Sequence, residues 1–416
     1  MQIKPQINKR AISTLILSLT MILPLQAKTI SFEPVNVISM NQQGVQADQR
    51  VIVEDNKIVA IEPVSQPTTF KVDKVIDSKG KYMLPGFAET HYHLTSSMVE
   101  EFKLLLINGV TSVRNMSDYP QYQQFGIDII EVRKQANTML LAPWFFTAGP
   151  PLEKHNLKTP ADAIAMVKYH TKRDYDFIKV HDDFSADTYL TLLRHAEQAN
   201  IPVVGHAQRD LALDYSLRLK SIAHVEEFMY LYTKAQLNDD VFLRQLAKQV
   251  KDSGVYLSPT LSTFALIARY ADDQRFEQLK NRPETALLAQ SNLQQWAVDN
   301  NSYRQKSWFT APESLKRLAS ELKLLQRITL FMHQVGVPLM VGSDTYGLQV
   351  PGFSLHDEML LMHQSGLSAY DVLKAATATS ARHLGRYAIA GTISVGKNAE
   401  FVLFTGDVEK WSNPLA

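Results

Sequence analysis

The strongest constraint on this chain is an alternation through its middle, in which short apolar runs are each followed by a stretch with helical spacing. The runs fall at 83–93, 110–116, 140–148, 177–181, 203–206, 221–225, 255–260 and 339–344. Apolar runs alternating with helical patterns are the sequence signal of repeated βα units and a parallel sheet. Eight such units predict an α/β fold of the (β/α)8 type, a TIM barrel. The competing architecture, a doubly wound open sheet, would carry a G-x-G-x-x-G turn after its first strand, and no such turn is present.

Several of these runs close on a residue capable of chemistry: His91 and His93, Arg114, Lys179 and His181, His206, His224, and Asp344. In a (β/α)8 barrel the C-terminal ends of the strands share one mouth, so side chains far apart in sequence converge there. His91 and His93 are two residues apart, and on a strand positions i and i+2 share a face, so both imidazoles can meet one ion. A lone H-x-H is a weak signal, since a buried histidine is more often simply hydrogen-bonded. Its company strengthens it, because His206, His224 and Asp344 each end a predicted strand.

The two ends read differently. From Thr29 to about Leu84, short β-rich stretches are broken by turn residues, and the tail from Gly391 to Phe404 has the same character. They predict a small β-sandwich domain built from both termini, residues 28–84 with 388–416, around a barrel over 85–387. Between the last two runs, 264–334 is rich in Gln, Glu, Lys and Arg, with helical spacing at Leu315, Leu318, Leu322 and Leu325. It predicts a helical insertion, either a cover over the mouth or an outer-layer elaboration.

Residues 1–27 stand apart from the fold. Lys4, Lys9 and Arg10 precede an apolar run from Ala11 to Leu25, and Ala27 follows, which is the layout of a secretory signal peptide. The run is short for a membrane span, which needs roughly 20 apolar residues. The expectation is export to the periplasm or beyond, with no integral membrane segment once the leader is removed; a permanent N-terminal anchor is the alternative.

Composition then narrows the chemistry. With 43 Lys+Arg against 42 Asp+Glu there is no electrostatic case for nucleic acid, so a small-molecule substrate is expected. The absence of cysteine excludes disulfides, thiolate metal sites and cysteine nucleophiles, so any metal must be held by nitrogen and oxygen.

The order H-x-H, Lys179, His206, His224 and Asp344, followed by Gly391-Thr392-Ile393-x-Val395-Gly396-Lys397-x-Ala399-x-Phe401-Val402, resembles the amidohydrolase superfamily. Glu400 stands where the closing motif usually has Asp. Within the superfamily, Phe177-Ile178-Lys179-Val180 is similar to the imidazolonepropionase-like branch, which includes metal-dependent dipeptidases of the prolidase type. The resemblance covers essentially the whole chain beyond the leader. It implies two divalent metal ions, with His91, His93 and Asp344 on one, His206 and His224 on the other, and Lys179 bridging both as a carbamate. An ammonium cannot ligate, but a lysine whose charge is disfavoured by burial and nearby cations can lose its proton and react with carbon dioxide. Zinc is the default ion for nitrogen and oxygen donors, with manganese, cobalt or iron as alternatives. Such ions would supply an acidified water and a polarised carbonyl, with Asp344 placed to take the proton and return it to the leaving amine.

Three further residues are substrate-binding candidates. Arg114 could hold a carboxylate bidentately or form a salt bridge across the mouth. His181 lies two residues beyond Lys179 on the same strand face. Tyr230, with Tyr232, follows His224 and could donate to a carbonyl oxygen, or could be a plain loop aromatic. His356, Asp357 and Glu358 resemble a helix start and are expected to cap and pack. His155, His170, His195, His333, His363 and His383 fall on predicted helices or loops and are given no role.

The resulting expectation is an exported amidohydrolase cleaving an amide-type C–N bond, a dipeptidase of the prolidase type or a hydrolase of N-acyl amino acids. One rival hydrolyses a lactone, cyclic amide or phosphotriester at the same ions. Another is a periplasmic binding protein that has lost catalysis. The resemblance also leaves room for a homo-oligomer.

Overall fold

The structure, a computed structural model, describes residues 28–119, 122, 126–139 and 141–406. The expected signal peptide and the last ten residues of the expected terminal domain lie outside these. Among the described residues no helix is long and apolar enough to cross a membrane.

The terminal β-rich stretches form one six-stranded sheet. Its strands are β1 (Ile30–Val37), β2 (Gln46–Glu54), β3 (Lys57–Pro63), β4 (Lys74–Asp77), β5 (Lys81–Pro85) and β13 (Phe401–Thr405). The order is β13-β5-β1-β2-β3, with β4 on β1. All six are linked by hydrogen bonds, β1 pairing β4 with its first half and β5 with its second. The Gly391–Gly396 run, expected as a strand, is a turn region whose Ile393 is buried in the sheet's own core.

The middle of the chain is α/β. Strands β6 (Phe87–Tyr92), β7 (Val110–Asn115) and β8 (Trp144–Thr147) form one parallel sheet. Strands β9 (Ile178–Val180), β10 (Val203–Gly205), β11 (Ser221–Ala223) and β12 (Tyr256–Ser258) form another. A parallel bridge joins Ala148 to Phe177, between β8 and β9. Another joins Leu257 of β12 to Leu339, and the Thr90 amide of β6 donates to the Val341 carbonyl at 3.0 Å. Residues 339–344 make these contacts without a continuous strand.

The run 83–93 is not one strand but two, β5 and β6, which belong to different sheets. Gly86 marks the break. A Cβ there would lie 2.3 Å from Thr111 Oγ1, so only glycine lets the chain pass so close to β7 as it changes sheet.

Helices connect the parallel strands, and local chemistry sets their ends. Helix Pro160–Lys172 starts at Thr159, whose hydroxyl accepts from the Asp162 amide while Asp162 reaches back, a capping box. Helix Asp240–Ser253 ends at Gly254, left-handed at φ 77°. The insertion is helical at Leu261–Ala271, Asp273–Lys280, Gln290–Gln295 and Pro312–Val335. The main apolar core runs through both parallel sheets, from Val113 and Phe145 to Ile178, Ile222 and Leu257.

Candidate metal centre

Strand ends place the chemistry. His91 lies near the end of β6 and His93 just beyond it, and Asp344 closes the 339–344 run, its amide donating to the His91 carbonyl at 2.7 Å. His206 follows β10 and His224 follows β11, while Lys179 is the central residue of β9, opposite Val204. His224 and Asp344 are left-handed, at φ 70° and 53°. A non-glycine residue in that region costs about 1–3 kcal/mol, and such strain collects where a side chain must be aimed. Gly342 permits the approach of the last segment, since a Cβ there would meet His91 Cβ at 2.8 Å.

The imidazoles form one continuous row. Ring centroids are 5.3 Å apart for His93 and His91, 4.8 Å for His91 and His224, 4.6 Å for His224 and His206, and 4.7 Å for His206 and His181. At one end Asp344 Oδ1 stands 3.2 Å from His91 Nε2 and 3.1 Å from His93 Nε2. The ligating atoms of these three side chains all lie within 4.8 Å of one another, the spacing of donors that can share a cation.

The polar partners test whether a cation fits. His91 is fully buried; its Nδ1 has no hydrogen-bond partner, and the polar atom facing its Nε2 is Asp344 Oδ1. A buried imidazole left without partners is expensive unless something else occupies its lone pair. The other rings are oriented from behind through Nδ1: His93 meets Ser117 Oγ at 3.0 Å, His224 meets Thr260 Oγ1 at 2.7 Å, and His206 meets Glu227 Oε1 at 2.7 Å. Each of these contacts leaves Nε2 to face a ligand.

Charge follows burial. Burial lowers the pKa of His91, His93 and His206, and takes His224 down to about 3, so these four rings are neutral and their lone pairs are available. Burial alone would raise Asp344, but the imidazoles around it hold its carboxyl well below the usual range. Lys179 is 2% exposed, and burial pulls its ammonium from 10.5 down to about 8. That makes the neutral amine accessible near physiological pH, which carbamate formation requires.

The remaining expectations fare unevenly. His181 is the outer member of the row, partly exposed, with Nδ1 3.1 Å from Asp182 Oδ1. Tyr230 is exposed, and the Arg209 guanidinium stacks 3.9 Å from its ring centroid. Tyr232 packs on Phe242. Arg114 requires a correction. It is fully buried and donates to the Thr90 carbonyl, Ser221 Oγ and His383 Nε2, so it neither reaches a substrate carboxylate nor makes a salt bridge across the mouth. Glu358 packs as expected, accepting from the Ser262 amide at 2.6 Å, while Asp357 pairs with Arg282.

Sequence reasoning missed Glu227, whose buried carboxylate holds His206 on one side and Arg209 Nε and Nη2 on the other, at 2.9 and 2.8 Å. Its signal was an acid three residues after His224. It also missed Glu89, which accepts from the His91 amide and from the Ser343 amide and hydroxyl, fastening β6 to the segment that carries Asp344.

Residues 82–415 match the amidohydrolase family. This chain belongs to that family. Amidohydrolases are metal-dependent hydrolases of C–N bonds, and His91, His93 and Asp344 form a donor set suited to a metal. Over 130 residues the chain is 39% identical to a 5-methylthioadenosine/S-adenosylhomocysteine deaminase of Bacillus thuringiensis (strain Al Hakam), covering 31% of this amidohydrolase and 22% of that relative. The chain thus aligns with about a fifth of the relative's length. Among solved structures, an Xaa-Pro dipeptidase with bound methionine in its active site is similar at a TM-score of 0.66 and 17% identity, covering 92% of this chain and 96% of that one. The bottromycin amidohydrolase is similar at a TM-score of 0.66 and 24% identity, covering 90% and 81%. At these identities the structural likeness speaks for the fold.

Proposed function

We propose that this chain is an exported hydrolase that cleaves the amide C–N bond of dipeptides or N-acyl amino acids with two divalent ions, zinc by default. His91 carries the proposal: it is buried, its Nδ1 has no hydrogen-bond partner, and its Nε2 is set 3.2 Å from Asp344 Oδ1. In this reading His91, His93 and Asp344 would hold one ion and His206 and His224 the other, with a carboxylated Lys179 as a ligand available to both. When bound, such ions supply an acidified water and polarise the scissile carbonyl. Asp344, kept ionised by its imidazole neighbours, accepts the proton and passes it to the leaving nitrogen. Glu227, Thr260 and Ser117 fix the ring orientations of His206, His224 and His93.

The scaffold we propose is a (β/α)8 barrel over 85–387 beside a composite domain of 28–84 and 388–416. The bridges from β8 to β9 and from β12 to Leu339, together with the Thr90 to Val341 bond, support closure. The antiparallel pairing of β13 with β5 supports the composite domain. Export rests on the leader pattern of residues 1–27. The choice of dipeptides draws on the likeness to an Xaa-Pro dipeptidase.

Metal analysis with a substrate panel tests the proposal. We expect roughly two metal equivalents per chain, as in binuclear sites, and activity on Xaa-Pro dipeptides or N-acyl amino acids that chelators abolish. Lys179→Ala should lower the metal content. A native protein that folds and stays metal-free when offered zinc would overturn the proposal. Turnover only of an aminopurine nucleoside, a lactone or a phosphotriester would move the substrate class.

A further inference from the structure

The insertion over 264–334 brings an aromatic stack to the metal centre. Tyr270 stacks on Trp296 with centroids 5.7 Å apart and planes at 17°, and Trp296 stacks in turn on Tyr303 at 6.4 Å and 30°. Trp296 also meets Tyr346 edge-on at 5.4 Å. Tyr346 lies two residues beyond Asp344, and its hydroxyl is 3.2 Å from that of Tyr303. A second tether lies at the other ligand loop, where Asn292 Nδ2 donates to Thr95 Oγ1 at 3.1 Å, two residues beyond His93. The insertion is therefore fastened to both segments that follow the His93 and Asp344 ligands.

The hydroxyl pair has an unused donor. A phenol has an ordinary pKa of about 10, so each hydroxyl carries its proton at neutral pH. Two hydroxyls sharing one hydrogen bond spend one proton between them. Neither has another protein hydrogen-bond partner among the described residues, so the second proton is free to donate. Tyr346 shares the loop of Asp344, the residue that in the proposed reading protonates the leaving nitrogen. When the leaving group is an amino acid, its carboxylate is one carbon away from that nitrogen. Arg114, the sequence candidate for this carboxylate, is buried elsewhere.

We propose that the insertion is a wall of the substrate site and that the paired hydroxyls of Tyr303 and Tyr346 bind the carboxylate of the leaving amino acid. This deepens the hydrolase reading and rests on it for the position of the leaving group. The site would favour substrates with a free C-terminal carboxylate, while the stacked faces of Trp296 and Tyr303 hold the hydroxyls in place.

The test compares the zinc-loaded wild type with Tyr303→Phe and Tyr346→Phe on an Xaa-Pro dipeptide and its C-terminal carboxamide. Phenylalanine keeps the stack and removes only the hydroxyl. A hydrogen bond to a charged group corresponds to about 10–100-fold, so each variant should raise KM for the free acid by a factor in that range. The kcat, the kinetics on the carboxamide, the metal content and Tm should stay near wild type. Equal losses on acid and carboxamide, or an unchanged KM for the acid, would overturn the proposal. If the wild type hydrolyses neither compound, the dipeptide reading fails on its own, and calorimetric binding of L-proline and L-prolinamide decides the wall. Preference for proline in the wild type that is lost in Tyr303→Phe upholds it; the absence of such preference refutes it.

Discussion

The two ends of the imidazole row use a carboxylate in opposite ways. At the His91 and His93 end the acid stands in front, with Asp344 Oδ1 within 3.2 Å of both Nε2 atoms. At the His206 end the acid stands behind, with Glu227 on Nδ1 and its other bonds spent on Arg209. An acid in front can share a ligand and move a proton. An acid behind can only aim the ring and strengthen its lone pair. The difference teaches that a carboxylate's role at such a centre depends on which imidazole nitrogen it faces, not on its burial, since both are well enclosed.

Three substitutions break or sharpen this contrast, and the largest effect belongs to the acid in front. Asp344→Asn keeps the shape and removes the proton acceptor, so turnover should fall by roughly 10³-fold, within the usual range for general acid–base groups, while most of the metal stays bound. Near-normal turnover in that variant would erase the distinction between the two ends. Glu227→Gln should act on binding instead, weakening metal affinity by about 10–100-fold, the usual cost of losing such an outer partner. Metal titration of the apoprotein reads this directly, and a loss of turnover at saturating metal as large as that of Asp344→Asn would contradict it.

A separate effect, on stability and not on turnover or metal affinity, concerns the acids that brace the site. Glu358 is fully buried, and burial raises its carboxyl from the usual 4.5 to about 7. The folded state thus holds a proton that the unfolded chain releases at lower pH. The associated stability is complete below about pH 4.5 and is lost as pH climbs to about 7, on the order of 3 kcal/mol across that window. Glu358→Gln should flatten the decline in Tm between pH 5 and pH 7.5. A decline as steep as in the wild type would assign it to other groups, Glu89 first, whose carboxyl burial pushes up to about 8.

The alternation of apolar runs and helical spacing was enough to read the α/β middle, because strand and helix periodicities are local properties of the text. The same holds for the six ligand candidates, since a polar residue closing an apolar run is visible without coordinates. The break at Gly86 was not visible, because β5 and β6 are both apolar and only their different neighbours, β13 and β7, separate them. Arg114 was misplaced for a similar reason: a strand position does not reveal whether a long side chain runs toward the mouth or into the interior.

What the sequence determined by itself was the set of chemical groups and the order in which strands present them. Tertiary structure alone decided their partners. It put Glu227 behind His206, tied Glu89 to Ser343 across 254 positions, and brought Tyr303 of the insertion against Tyr346. Local pattern encodes which face a residue occupies, whereas a hydrogen bond between distant segments depends on where the whole chain has packed.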